Sequence, residues 1–83
     1  GVRAIAMDTP SIDNRYTNGE LHKLVLGRGV AVIETLANLD RLAAVQQNRA
    51  ASCGSGRDFT IYAAPLKLTG GDGSPVRAFA LLE

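Results

Sequence analysis

Apolar positions come in short, separated groups along the chain, and none is long enough for an extended buried helix. Val2 to Met7 is apolar except for Arg3, and its length predicts a strand. Asp8-Thr9-Pro10-Ser11-Ile12-Asp13-Asn14 follows as a cluster of turn formers, with Pro10 blocking any helix through it. Leu21, Leu24 and Val25 then recur at helical spacing. They predict a short helix over Gly19 to Leu26, N-capped by Asn18, with Glu20 at its positive end and Gly27 and Gly29 stopping it. His22 lies one position off that apolar stripe. Val30 to Leu36 is β-branched and apolar on both faces except at Glu34, which reads as a strand with a carboxylate inside it.

A second helix is expected from Leu39 to about Gln47, capped by Asn38, with Leu39, Leu42, Ala43 and Gln46 on one side. Ala50 to Gly56 is made of small residues and reads as a flexible loop. Phe59 to Leu68 alternates as a strand, and Pro65 places it at a sheet edge or a bulge. Thr69 to Pro75 has the turn chemistry of a hairpin, and Val76 to Leu82 reads as the returning strand. The order β, α, β, α, β, β makes the chain α/β or α+β, with two short helices and a C-terminal β-hairpin.

Composition narrows the function classes. Eighty-three residues allow a single domain, 1–83. A chain this short buries only somewhat more than ~60% of its unfolded surface, so its stability margin is thin. A net charge of +1 gives no electrostatic case for nucleic acid or an anionic membrane, and no apolar run approaches the ~20 residues of a membrane span. The lone Cys53 cannot form an internal disulfide, and a single thiol leans towards the cytoplasm. The lone His22 excludes motifs that need two histidines, including HExxH. Gly70-Gly71-Asp72-Gly73 precedes a strand and lacks the GxxxxGK[ST] pattern, so it reads as a structural turn and not a phosphate loop. Cys53 has no second His or basic cluster adjacent that would activate a thiolate, and Gly54-Ser55-Gly56 falls short of a G-x-S-x-G elbow.

His22 and Glu34, twelve positions apart, hold the remaining chemistry. A carboxylate in an apolar strand needs a cation, a metal or several donors to offset its desolvation. Imidazole and carboxylate are both ligands for zinc or manganese. By themselves the residues leave two readings open: a metal pair, or a surface histidine beside a glutamate paired with Lys or Arg.

Four ordered stretches add a resemblance. They are Asp8-Thr9-Pro10-Ser11-Ile12-Asp13; His22 with Leu24 and Leu26; Val32-Ile33-Glu34 with Leu36-Ala37-Asn38-Leu39; and Ala64-Pro65-Leu66-Lys67 through Gly70-Gly71-Asp72-Gly73-Ser74-Pro75-Val76-Arg77-Ala78. Together they resemble the C-terminal part of the cyclase family of metal-dependent hydrolases, the group of the bacterial kynurenine formamidases and isatin hydrolases. The resemblance implies a fragment of a swivelling β/β/α fold around a mixed sheet. It also implies hydrolysis of amide or cyclic amide bonds, often in tryptophan-derived compounds, by Lewis-acid activation of water. His22 and Glu34 match the two metal ligands of that half, the DTPSID segment would form a loop at the rim, and the GGDGSPVR turn would brace the sheet. Thr35 departs from the asparagine that frequently follows the glutamate in relatives.

The family's HxGTHxDxPxH signature, which supplies most ligands and the acid/base histidine, has no match in these residues. The resemblance therefore implies a catalytic partner segment carrying that signature, with a small amide as substrate. The alternative is a truncated, non-catalytic binding or structural module. Either way, self-association is expected, because a fragment exposes strand edges and apolar surface.

Overall fold

The computed structural model describes residues 1–51 and 59–82. The elements, in order, are β1 (Ala4–Ala6), α1 (Glu20–Gly27), β2 (Ala31–Ile33), α2 (Leu39–Ala51), β3 (Phe59–Pro65) and β4 (Val76–Leu82). Both helices and the C-terminal strand pair occur where the hydrophobic pattern puts them, in a mixed α/β architecture. Two compact units divide the chain, Gly1–Leu39 and Asp40–Glu83.

The first unit is a βαβ arrangement. β1 and β2 pair in parallel, with Ala4, Ile5 and Ala6 opposite Ala31, Val32 and Ile33, and α1 packs on β2. A parallel pair requires a crossover connection, and α1 supplies it. The helix ends in a Schellman motif: Val30 N–H donates to the Val25 carbonyl at 3.0 Å and Gly29 N–H to Leu26 at 3.0 Å. Gly29 takes φ 74°, the left-handed conformation this ending demands.

Several local expectations are corrected in this unit. Asn18 is not the N-cap; it takes φ 47°, and Gly19 at φ 79° occupies the cap position without a side-chain bond. Leu24 is exposed, so the half-buried side of α1 is Leu21, His22 and Val25. β2 ends at Ile33, which leaves Glu34 just beyond the strand and half-buried. The strand cannot continue because Thr35 turns to φ 58°. Main-chain bonding to the β1 side persists nonetheless, with Thr35 N–H donating to Thr9 at 2.9 Å and Leu36 N–H to Met7 at 3.0 Å.

In the second unit β3 and β4 form an antiparallel pair, from Phe59 opposite Leu82 to Pro65 opposite Val76. Pro65 sits at the end of an edge strand, as its missing N–H requires. Strand β3 stops there; residues 66–68 belong to the connection, where Leu66 N–H donates to Ser74 Oγ at 3.1 Å. Tyr62 faces Phe79 across the pair with rings stacked at 5.1 Å. Helix α2 runs to Ala51, past the expected Gln47, and takes in the first two residues of the expected loop. The rest of that loop, with Cys53, lies outside the described residues. Leu39, Leu42 and Val45 are half-buried on α2, while Ala43 and Gln46 are exposed. Asn38 enters the helix at φ 64°, not in the extended conformation of a usual N-cap.

No hydrophobic residue is fully buried among the described residues, and Ile61, Tyr62, Phe79, Leu81 and Leu82 of the hairpin are each about half exposed. No helix among them is long and apolar enough to cross a membrane.

Candidate metal half-site

The parallel pair fixes where chemistry can gather. The loop leaving β1, the first turn of α1 and the residue after β2 all meet at the carboxyl end of the two strands, the end at which open α/β sheets bind ligands. Asp13 comes from the loop, His22 from the helix and Glu34 from the strand end, so all three belong to the first unit.

His22 lies between the two carboxylates. Its Nδ1 is 2.6 Å from Asp13 Oδ2, and its Nε2 is 3.0 Å from Glu34 Oε1. Asp13 is the most enclosed of the three, with a side chain 8% exposed against 33% for His22 and 29% for Glu34. Its carboxylate also takes two of the unpaired N–H groups that begin α1: Leu21 N–H donates to Oδ1 at 3.0 Å and His22 N–H to Oδ2 at 2.9 Å. The helix is thus capped from eight and nine residues away. Glu34 is held from the same loop, with Ile12 N–H donating to its Oε1 at 3.3 Å. The loop is itself braced: Asp13 N–H donates to Ser11 Oγ, and the Asn14 side chain accepts from Tyr16 and Thr17 N–H.

The electrostatics follow from these bonds. Partial burial pushes the Asp13 carboxyl up, but hydrogen bonds from Thr17, His22 and Leu21 outweigh it and hold the group well below the usual carboxylate range. The bond to Asp13 raises His22 above its ordinary 6.5; burial opposes that, and the hydrogen bond and charge of Glu34 add to it.

The structure brings His22 and Glu34 together and makes Glu34's partner the histidine, where the sequence left Lys or Arg open. Among the described residues, no group of three or more His, Cys, Asp or Glu side chains converges on a metal position. Asp13 stands on the far side of the ring, which leaves Nε2 of His22 and the carboxylate of Glu34, in contact with each other, as the two candidate donors. Imidazole and carboxylate are both ligand types for a divalent ion, and the pair makes two of the three protein ligands that a catalytic zinc normally takes.

A bacterial relative has the same stretch of chain. This sequence is similar to a kynurenine formamidase. That protein, from Delftia acidovorans (strain DSM 14801 / SPH-1), is 37% identical to it over 79 residues, covering 94% of this chain and 32% of the relative. The chain therefore spans about a third of the length of this curated relative. No family model and no solved structure matches.

Sequence reasoning missed Asp13 as a partner of the site. Helix-cap rules look one residue before a helix, and this cap comes from a separate loop. Its one available signal was its place in the DTPSID stretch.

Proposed function

We propose that this chain is the C-terminal part of a cyclase-family hydrolase, and that His22 and Glu34 are its two ligands to a divalent metal, zinc or manganese. The supporting observation is the 3.0 Å approach of His22 Nε2 to Glu34 Oε1 at the carboxyl end of the parallel pair. The similarity to a kynurenine formamidase supports the same reading. A divalent ion bound there supplies Lewis-acid polarisation of a carbonyl and activation of water.

The chain's own residues do the rest of what this half contributes. His22 and Glu34 bind, Ile12 N–H and Asp13 orient them, and the turn at Thr35 delivers Glu34 to the strand end. The substrate is a small amide or cyclic amide of the arylformamide or lactam kind, and the compartment is the cytoplasm. The remaining ligands and the acid/base histidine come from a segment carrying HxGTHxDxPxH. Exposed apolar side chains on β3 and β4 are then covered by that segment or by a second copy.

The test is made on material isolated from its natural source. Its intact mass should include a polypeptide with the HxGTHxDxPxH motif, and it should hydrolyse an aryl formamide or a lactam with Zn²⁺ or Mn²⁺. His22→Ala should abolish that activity. A lone 8.7 kDa species with no such activity would instead make this a non-catalytic module.

A further inference from the structure

The loop after β1 has one residue whose arrangement exceeds what a helix cap needs. Two backbone N–H groups suffice to occupy a capping carboxylate, and Asp13 has both, from Leu21 and His22. Its Oδ2 nevertheless also meets the Nδ1 of the His22 ring at 2.6 Å, so the backbone and the ring of one residue share a single oxygen. This double attachment closes a small ring of bonds around the His22 side chain and restricts its rotation.

We propose that Asp13 is a positioning residue that fixes His22 as the Nδ1–H tautomer and so leaves the Nε2 lone pair facing Glu34. An ionised carboxylate only accepts, so both ring contacts are hydrogen bonds in the charged imidazolium, and a neutral ring can keep one of them. The competing contact, Nε2 to Glu34, is longer at 3.0 Å, and Glu34 is more exposed at 29% against 8% for Asp13. The neutral ring therefore keeps its proton on the Asp13 side. Metal-binding histidines commonly give their second N–H to a carboxylate in this way, which sets both tautomer and ring orientation. The significance for catalysis rests on the metal reading above; the tautomer does not.

The chain has one histidine, so a two-bond ¹H–¹⁵N correlation spectrum of the labelled full chain shows one pair of ring nitrogens. With the ring neutral, Nδ1 should show the shift of a protonated nitrogen and Nε2 that of an unprotonated one. Asp13→Ala should exchange the two shifts, and Glu34→Gln should leave them as in the wild type. An Nε2–H ring in the wild type overturns the proposal. So does an exchange in Glu34→Gln, which would make Glu34 the deciding group. These two readouts stand even where Asp13→Ala unfolds α1. Zn²⁺ added to the wild type then tests the metal reading separately: an Nδ1–H ring whose Nε2 ignores Zn²⁺ removes the metal and leaves Asp13's role intact.

Discussion

Thr35 is the residue at which the backbone itself should yield to substitution. It follows Glu34 directly and holds φ 58°, a left-handed conformation that is a genuine outlier for a β-branched side chain. Placing an L-residue there costs roughly 1–2 kcal/mol, because Cβ crowds the following carbonyl. The turn's N–H must be kept, since it donates to Thr9 at 2.9 Å, and both Asn and Gly keep it. Asn tolerates the left-handed region and adds no backbone freedom to the unfolded chain, so Thr35→Asn should stabilise by about 1 kcal/mol. Gly relieves the same crowding but returns roughly 0.5–1 kcal/mol as unfolded-state entropy, so Thr35→Gly should gain less. For a domain of this size 1 kcal/mol moves Tm by about 4–8 °C. Thermal unfolding followed by circular dichroism should rank Asn first and Gly second, with the wild type and Thr35→Val below both. An Asn variant melting at or below the wild type would refute the strain argument.

Further outcomes follow from the same geometry. His22 has a folded-state pKa raised above 6.5, so its charged form stabilises the fold fully below that pH, and the stability is lost as pH rises through the raised value. Melting temperature should therefore decline across that interval in the wild type, and the decline should flatten in His22→Gln; equal slopes would contradict the bridge. Asp13 is depressed, so its stabilisation is fully present above the usual carboxylate range and is lost progressively as pH falls from that range towards its low folded value. Because the folded carboxylate itself stays ionised over that interval, hydrogen exchange at Leu21 and His22 should stay slow below the pH at which ordinary carboxylates protonate. The Tyr62–Phe79 stack at 5.1 Å and 10° should give a coupling of about 0.5–1.5 kcal/mol in a double-alanine cycle, and additivity would remove it. Exposed Ile61, Leu81 and Leu82 should make sedimentation concentration-dependent, and charged residues at Ile61 and Leu81 should suppress that.

Element positions were legible in the sequence wherever turn chemistry bounded an apolar group. Val76 to Leu82 has the same ends in chain and structure because Gly, Asp, Ser and Pro crowd before it. β1 and β2 come out shorter than their apolar runs, because pairing between two short parallel strands ends where one partner bends. The bend at Thr35 is what moved Glu34 out of the strand, and a threonine gives no sign of a left-handed backbone. The site was half legible. His22 and Glu34 could be singled out as the lone histidine and as an ionisable group in an apolar run. Asp13 could not, because its role comes from a tertiary contact across a braced loop. The exposure of Ile61, Tyr62, Phe79, Leu81 and Leu82 on β3 and β4 also left no mark, since apolar alternation reads the same whether or not a partner covers it.

The most direct test of the central claim is Mn²⁺ added in substoichiometric amounts to the ¹⁵N-labelled chain. The account predicts selective paramagnetic broadening of His22 and Glu34, with Asp13 and Ile12 next, and loss of that pattern in His22→Ala. Broadening that spares His22, or that survives unchanged in His22→Ala, would contradict it.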